Sequence, residues 1–394
     1  MATLSTAGAL DHLLARGEQG SGLSRDEALS LLEQAETAAL LDAASRLREK
    51  AKGRAVSFSK KVFIPLTNLC RDYCGYCTFR KDPGELGAHF MTPEEVLALA
   101  ERGRSAGCKE ALFSLGDQPE RIFPEAREFL RAQGFGTTLE YLAAMSRLVL
   151  DRTGLLPHAN PGVMGREDLA ALKESNASVG IMLETASPRL LQRGEAHWHA
   201  PDKVPALRLR TIEEAGRQKI AFTTGILIGI GETLAERVDS LLAIRALHER
   251  YGHIQEVIVQ NFRAKPGTPF AGRPDAPLED HQRTLAVARL LLGGEINLQA
   301  PPNLSYKDFP RLLDAGINDW GGISPVTLDF INPEAAWPQI ETLREKTAEA
   351  GLELRERLAI YPEFIARPGF LAERVRASLL PLAGADGFAR AEEN

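Results

Sequence analysis

The stretch KVFIPLTNLCRDYCGYCTFR, residues 61–80, joins a short apolar run to a loop that holds three of the chain's four cysteines. The run VFIPLT, residues 62–67, has the β-branched and aromatic composition of a strand. The loop that follows spaces Cys70, Cys74 and Cys77 by three and two residues. The sequence therefore predicts a strand that presents several thiols at its carboxyl end.

The same succession of strand, loop and amphipathic helix continues along the chain. Helix patterns such as TPEEVLALAERGRSAG and ETLAERVDSLLAIRALHERYG separate the strands, and several open on a capping residue and close near glycine. The eight candidate strands are VFIPLT (62–67), EALFSL (110–115), LLPHA (155–159), SVGIML (178–183), IAFTTGILI (220–228), IQEVIVQ (254–260), INLQA (296–300) and GINDW (316–320). Eight such units in series predict an α/β protein with a TIM-type (β/α)8 barrel, complete or nearly so, rather than an open doubly wound sheet.

The regions that flank the barrel have a different character. Residues 1–55 carry apolar residues at helical spacing, and Ser24 forms a predicted capping box with Glu27. We therefore predict an N-terminal helical extension over residues 1–55, a barrel over residues 56–365 and a C-terminal tail over residues 366–394. The tail contains no motif that indicates a function.

Composition and charge exclude several classes of protein. The 394 residues are 44% hydrophobic and 25% charged, which is typical of a compact globular fold. A formal net charge of −6 argues against broad binding to nucleic acid or anionic lipid, and therefore favours a small-molecule substrate. The start of the chain lacks the apolar core of a secretory signal, and no apolar run reaches membrane-spanning length. Four crowded cysteines suit a reducing cytoplasm, where thiols bind metal.

Three thiols on one short loop are typical of a metal site. Structural zinc would need four Cys or His ligands, usually in separated pairs, and the nearby His89 has no partner at a suitable spacing. Copper stays open. A closed iron–sulfur cluster normally has four cysteine ligands, and Cys108, in SAGCKEALF, is expected to be a buried core thiol. A four-iron cluster with three cysteine ligands would leave one iron free to bind a small molecule.

The spacing CxxxCxxC after the first strand of a barrel resembles the signature of the radical S-adenosylmethionine (SAM) enzymes. Tyr76 stands at the aromatic position of that motif. The resemblance implies that Cys70, Cys74 and Cys77 hold one 4Fe-4S cluster and that SAM binds the fourth iron. A one-electron reductant such as ferredoxin or flavodoxin would then drive cleavage of SAM to methionine and a 5′-deoxyadenosyl radical.

Other strand ends also match this family. Gly116 and Asp117 follow the second strand, where the family has a turn for the SAM ammonium, although Asp117 also suits a turn. Glu184 follows the fourth strand, where a polar residue meets the SAM ribose, and helix capping is the alternative. GILIGIGE, residues 225–232, resembles the adenine-side motif. The predicted SAM-binding residues are Tyr76, Gly116, Asp117, Glu184, Gly229 and Glu232.

Longer segments between residues 61 and 340 resemble the first subunit of the FO synthase family, which makes a deazaflavin. These segments are CKEALFSLGDQPE, LLPHANPGVM, GIMLETASPRL, GEAHWHAPDK, QNFRAKPGTPF and GINDWGGISPVTLDFINPEAAWP. The resemblance implies a lyase acting on the adduct of a tyrosine-derived fragment and 5-amino-6-ribitylaminouracil. Hydrogen abstraction, ring closure with loss of ammonia and a second oxidation would give FO. The second FO synthase subunit, which would supply the adduct, is the implied metabolic partner of a separate first subunit.

A substrate with a ribityl chain predicts polar residues at the remaining strand ends. The predicted substrate-binding residues are Asn160, Asn261, Arg263, Asn303 and Asp319, with the pair Gly321-Gly322. His197 and His199, which flank Trp198, are expected to hydrogen-bond or stack on the substrate rather than to bind a second metal.

Two other interpretations remain open at this point. One is a different radical SAM enzyme, namely the partner subunit, a menaquinone-pathway cyclase or a biotin-synthase-like protein. The other is a non-catalytic iron–sulfur protein.

Overall fold

A closed barrel of eight parallel strands forms the centre of the computed structural model, which describes residues 6–20 and 22–391. The strands are β1 (Ala55–Thr67), β2 (Glu110–Leu115), β3 (Leu156–Asn160), β4 (Ser178–Gly180), β5 (Phe222–Ile228), β6 (Ile254–Asn261), β7 (Asn297–Gln299) and β8 (Asp319–Ile323). Each strand pairs with the next, and both β2 and β8 pair with β1. The predicted TIM-type barrel is confirmed.

Helices surround the barrel and precede it. They are α1 (Thr6–Glu18), α2 (Arg25–Gln34), α3 (Thr37–Lys52), α4 (Pro93–Ser105), α5 (Pro124–Ala132), α6 (Thr138–Thr153), α7 (Arg166–Lys173), α8 (Pro205–Arg217), α9 (Leu234–Tyr251), α10 (Leu278–Leu292), α11 (Ile340–Glu349), α12 (Pro362–Ile365) and α13 (Glu373–Leu379). Between β7 and β8 the chain forms a kinked 3-10 segment, Pro302–Ala315, in place of an α-helix. Among the described residues, no helix combines the length and apolar character needed to cross a membrane.

The helical extension packs on one side of the barrel. The capping box of Ser24 and Glu27 is present at the start of α2. Helices α2 and α3 contact α9 and α10, and Arg25 forms a bidentate ion pair with Asp239 of α9. The parts of the helical prediction that fall on residues 1–5 and 21, and of the tail on residues 392–394, lie outside the described residues.

The fourth strand is shorter than predicted. It ends at Gly180 rather than at residue 183, and Glu184 then forms an isolated bridge with Ile226 of β5. Glu184 has a φ of +62°, in the left-handed region that a regular strand excludes. The carboxyl end of β4 is therefore an irregular segment held against β5.

A buried ion network centred on Arg357 closes the base of the barrel. Arg357 ends a ninth strand, β9 (Glu353–Arg357), which pairs with the first half of β1 and was not predicted. Its guanidinium donates to both carboxylate oxygens of Asp319, at 2.7 and 3.2 Å, and to Glu256 at 3.2 Å. The hydroxyl of Tyr361 donates to Glu256 at 3.0 Å. Carboxylates from β6 and β8 are therefore compensated inside the barrel.

The segment after β9 covers the amino ends of the strands. Apolar side chains from Leu358–Tyr361, α12 and α13 form a second buried cluster with Leu156 of β3 and Ala221 before β5. The predicted tail is thus folded against the barrel base over its described residues, although no sequence motif marked it.

Replacing Arg357 with methionine should destabilise the protein, because Asp319 and Glu256 would remain buried without their cation. We expect the free energy of unfolding to fall by about 3–5 kcal/mol, measured by urea denaturation. Arg355→Met is the matched control, since its ion pair with Asp386 is partly exposed and its loss should cost about 0–1 kcal/mol. Equal losses in the two variants would contradict the role given to Arg357.

Candidate active site

A cavity of 230 Å³ lies at the carboxyl ends of the strands, where TIM barrels build their active sites. Its walls come from the cysteine loop after β1 and from the ends of β2 to β6. Most of the predicted metal and SAM residues meet here. Those that line the cavity are Cys70, Cys74, Cys77, Tyr76, Gly116, Asp117 and Glu184, with the predicted substrate residue Asn160.

The cysteine loop brings three free thiols to this cavity. Cys70 and Cys74 are buried, and Cys77 is half-buried. Backbone hydrogen bonds fix the loop on two neighbouring segments: Gly75 donates to Ala196 O at 2.8 Å and accepts from Phe270 N at 2.9 Å. The loop that carries the thiols is therefore anchored to the segments after β4 and β6.

Two glycines allow this loop to pack closely. A Cβ atom at Gly116 would lie 2.7 Å from Cys70 Cβ and would overlap the carbonyl oxygen of Leu69. A Cβ atom at Gly75 would lie 2.8 Å from the Phe270 ring. Both positions thus require glycine for steric reasons. For Gly116, the atoms that leave no room for a side chain belong to Leu69 and Cys70 of the cysteine loop.

Burial controls the protonation of the thiols. It raises the pKa of Cys70 to about 12, and it raises the pKa of Cys74 well above its ordinary value. The Cys70 sulfur nevertheless accepts hydrogen bonds from the backbone N–H groups of Asp117, at 3.2 Å, and Asp72, at 3.4 Å. Since metals bind thiolates, metal binding here would displace these protons.

Tyr76 is held by a histidine from the segment after β4. Its hydroxyl lies 3.1 Å from Nε2 of His197, and the two rings meet edge to face. Burial lowers the pKa of His197 well below its ordinary value, so the imidazole is neutral. His197 therefore positions Tyr76. His199 lies outside this contact, and its ring stacks on that of the partly exposed Trp198.

Lys203 and Arg208 bring positive charge to the cavity. Lys203 Nζ donates to Glu184 Oε1 at 2.8 Å, and Arg208 donates to Asp202 at 2.6 Å and to the carbonyl of Met182. Burial and the neighbouring Arg208 favour a lower pKa for Lys203. The nearby acidic groups, of which Glu184 has the largest effect, outweigh these two contributions, so the pKa of Lys203 is raised. Both cations line the cavity, and the sequence analysis had assigned a role to neither.

Three buried carboxylates lie beside these cations. Asp72, Asp117 and Asp202 have oxygen atoms within 4.8 Å of one another. Burial raises the pKa of Asp117 to about 7 and that of Asp72 to about 6, and the nearby Asp202 adds to both shifts. Asp117 is paired with Arg71. The cavity therefore offers acidic and basic groups side by side, which suits a zwitterionic amino acid moiety.

The turn after β5 is built by Glu232. Its carboxylate accepts hydrogen bonds from the backbone N–H groups of Gly229, at 2.8 Å, and Ile230, at 2.9 Å. It also accepts from Arg237 at 2.7 Å, and its side chain is buried. Gly229 has a φ of +88°. Glu232 thus shapes the predicted adenine-side turn, and its own oxygen atoms are occupied.

The other predicted substrate residues are distributed around the barrel mouth. Asn261 and Asn303 are buried, and each has a side-chain oxygen without a partner among the described residues. Arg263 lies nearer the rim, where it pairs with Asp275 at 3.2 Å. Asp319 is located at the barrel base, where Arg357 occupies both of its carboxylate oxygens. A direct contact between Asp319 and a ligand in the cavity would therefore require Arg357 to move.

Cys108 lies apart from the cysteine loop. It is buried before β2, its N–H donates to Gly103 O at 3.0 Å, and it is not among the residues that line the cavity. His89 is also separate and bonds Glu95 at 3.0 Å. These positions agree with the sequence-based separation of Cys108 from the other three cysteines.

Comparison with known proteins places this site in a family context. The profile of the Radical SAM superfamily matches residues 64–244. A 7,8-didemethyl-8-hydroxy-5-deazariboflavin synthase of Methanopyrus kandleri is 49% identical over 335 residues, which cover 85% of this chain and 100% of that protein.

An FO synthase of Streptomyces avermitilis is 51% identical over 374 residues, which cover 92% of this chain but 43% of that protein. The chain thus spans less than half the length of these longer relatives. Among solved structures, methylornithine synthase superposes with a TM-score of 0.69 at 20% identity, covering 87% of this chain and 97% of that one. At this identity the likeness supports the fold alone.

Substituting alanine for Gly116 should disturb the cysteine loop, because the new methyl group would overlap Leu69 O and crowd Cys70. We expect a loss of about 1–3 kcal/mol in the free energy of unfolding, measured by urea denaturation. Gly272→Ala is the control, since a Cβ atom there meets no atom within 4 Å. A Gly116→Ala variant as stable as the control would show that the loop does not depend on this close approach.

Proposed function

Because the chain belongs to the 7,8-didemethyl-8-hydroxy-5-deazariboflavin synthase family of radical SAM proteins, we propose that it catalyses the ring closure that forms the deazaflavin FO. The substrate is the adduct of a tyrosine-derived fragment and 5-amino-6-ribitylaminouracil. Ring closure proceeds with loss of ammonia, which makes the enzyme a carbon–nitrogen lyase. The match to the full length of the Methanopyrus kandleri protein, together with three thiols at one cavity, carries this proposal.

The donor set of the cavity suits a 4Fe-4S cluster. Cys70, Cys74 and Cys77 would be its three ligands, and their loop is held by backbone hydrogen bonds and by the close approach at Gly116. A cluster held by these thiols would supply the single electron for reductive cleavage of bound SAM. The protein supplies orientation, through the loop contacts and the charged residues that line the cavity.

The charged residues of the cavity divide the recognition of SAM between them. Asp117 and its carboxylate neighbours face the amino and sulfonium charges, while Lys203 and Arg208 face the carboxylate. Glu184 is proposed to accept hydrogen bonds from the ribose. Its left-handed backbone conformation is a strained feature at the cavity, which is consistent with a functional constraint.

Tyr76, Gly229 and Glu232 are assigned supporting roles. Tyr76, held by His197, orients the last part of the cysteine loop. Glu232 holds the turn at Gly229 in the form that lets backbone approach the adenine. Asn160, Asn261 and Asn303 are proposed to line the substrate region, and Arg263 its rim.

The proposed chemistry also implies partners. The second FO synthase subunit would supply the adduct, and ferredoxin or flavodoxin would supply single electrons. We also propose a cytoplasmic location, because the cysteines are free and a metal-binding thiol loop needs reducing conditions.

A reconstitution assay tests the function. The protein is loaded anaerobically with iron and sulfide, reduced, and given SAM, and 5′-deoxyadenosine is measured. The second subunit, tyrosine and 5-amino-6-ribitylaminouracil are then added, and a fluorescent deazaflavin is expected. Absence of deoxyadenosine in the first stage, with no more in the second stage than the second subunit makes alone, would exclude a radical SAM enzyme. Deoxyadenosine in the first stage without deazaflavin in the second would exclude only the proposed substrate and leave another radical SAM reaction.

Alanine substitutions distinguish the proposed cluster ligands from Cys108. Cys74→Ala should abolish cluster assembly, because it removes one of three ligands, whereas Cys108→Ala should leave the iron content close to that of the unaltered protein. Iron analysis and the visible absorption of the reconstituted protein measure the difference. Equal iron loss in the two variants would contradict the assignment of Cys70, Cys74 and Cys77 as the ligand set.

Lys203→Met tests the charge assignment. Removal of this ammonium should weaken SAM binding about tenfold, measured by calorimetric titration of the reconstituted protein. Lys346→Met is the control, because Lys346 lies on the surface of α11 and pairs with Glu349. Unchanged SAM affinity in Lys203→Met, at normal iron content, would exclude a contact between Lys203 and SAM.

A further inference from the structure

Two buried polar side chains inside the barrel lack partners. Lys61 of β1 is 6% exposed, and Gln299 of β7 is 7% exposed. Throughout residues 6–20 and 22–391, neither the Lys61 ammonium nor the Gln299 carboxamide finds a hydrogen-bond or ion-pair partner. Their terminal polar atoms are not among the described atoms that are sealed from solvent without a partner, so they reach accessible space and are available to a ligand.

The adjacent glycines Gly321 and Gly322 make room for both side chains. A Cβ atom at Gly322 would lie 2.6 Å from Lys61 Cε, and one at Gly321 would lie 2.7 Å from Gln299 Cδ. Any side chain at these two positions would therefore displace Lys61 or Gln299. The glycine pair, which is predicted to line the substrate site, leaves room for two side chains of the chain itself.

An aromatic side chain adjoins the same region. Lys61 Nζ lies 4.8 Å from the ring centroid of Trp337 and 5.4 Å from that of Phe63. The indole Nε1 of Trp337 is itself buried without a partner in the described part of the chain. Flat rings beside unpaired donors are typical of sites for flat polar heterocycles.

The carboxylates that act most strongly on Lys61 are bonded elsewhere. Glu110 accepts from the Ser59 hydroxyl, and Asp329 accepts from Asn303 Nδ2 at 2.9 Å. Burial lowers the pKa of Lys61. Within the described part of the chain, the Lys61 ammonium therefore has no directly bonded carboxylate. A carbonyl oxygen of a ligand could accept a hydrogen bond from it.

The barrel interior has accessible space beside Lys61 and Gln299. Ile258 of β6 is in register with Gln299 and keeps partial exposure, as does Gly322 beside Lys61. Gln260, two residues after Ile258 and on the same face of β6, lines the cavity of the cysteine loop. Lys61 and Gln299 do not themselves line that cavity, so a ligand would reach them by occupying the space beside Ile258 and Gly322.

We propose that Lys61 and Gln299 recognise the imide edge of a pyrimidinedione ring. That edge presents a ring N–H between two carbonyl oxygens. The Gln299 carboxamide accepts from the N–H and donates to one carbonyl, and the Lys61 ammonium donates to the other. Trp337 supplies an adjoining aromatic surface. The identity of the ring rests on the proposed function, in which substrate and product both contain it.

Binding of the product measures this recognition. Authentic FO is titrated into the reconstituted protein, and its fluorescence reports the dissociation constant. Lys61→Met and Gln299→Met should each weaken binding about tenfold or more. Lys60→Met is the matched control: Lys60 immediately precedes Lys61 in β1, so its side chain lies on the opposite face of the strand, and the variant should bind FO normally.

A modified probe tests the hydrogen-bond pattern. FO methylated at the imide nitrogen cannot donate from that position, so the unaltered protein and Lys60→Met should bind it at least about tenfold more weakly than FO. Gln299→Met should bind the two probes with similar affinity, because it has lost the acceptor. Equal affinities in the unaltered protein would overturn the proposed contact.

Thermal unfolding separates recognition from a structural role. Lys61→Met removes an unpaired buried charge and keeps the side-chain volume, so its melting temperature should rise while FO affinity falls. A lower melting temperature with unchanged FO affinity would assign Lys61 to folding and overturn the proposal. Unchanged FO affinity in both Lys61→Met and Gln299→Met would also overturn it, while deazaflavin synthesis by the unaltered protein would leave the proposed function intact.

Discussion

Inside the barrel, charge compensation by Arg357 is the constraint on which the rest of the structure depends. A closed barrel has an interior too narrow for water to solvate several carboxylates, yet Asp319 and Glu256 both point inward at its base. One guanidinium from β9 bonds both. The base is thereby a packed floor in which both carboxylates have a cationic partner.

Above this floor, the interior divides into two sectors with different chemistry. The ends of β1 to β5 hold the thiols and the mixed cluster of acids and bases, including Asp117, Lys203 and Arg208. The sector formed by β7, β8 and the start of β1 holds uncompensated donors and glycines. The first sector suits the proposed SAM site, and the second suits the flat ring of the proposed substrate.

Local patterns predicted the features that depend on neighbouring residues in the chain. The alternation of strands and helices predicted the barrel, and the cysteine spacing predicted the thiol loop. The ninth strand was missed because ELRER, residues 353–357, resembles a solvated charged segment, and only the buried carboxylates explain Arg357. Lys203 was missed because its partner Glu184 lies on another loop. The inward position of Lys61 could have been predicted, because side chains two residues apart on a strand share a face and Lys61 therefore lies on the same face of β1 as Phe63.

The position of Arg357 in the chain has a consequence for biosynthesis. It pairs with Ser59 across β1 and β9, although the two residues are nearly three hundred positions apart. During translation, the cysteine loop therefore emerges long before the floor of the barrel exists. Until then Asp319 and Glu256 lack the guanidinium that bonds them in the folded protein, and translation of the intervening residues takes many seconds. Cys70 and Cys74, which are buried in the folded protein, are synthesised at the start of that interval, before the base of the barrel is complete.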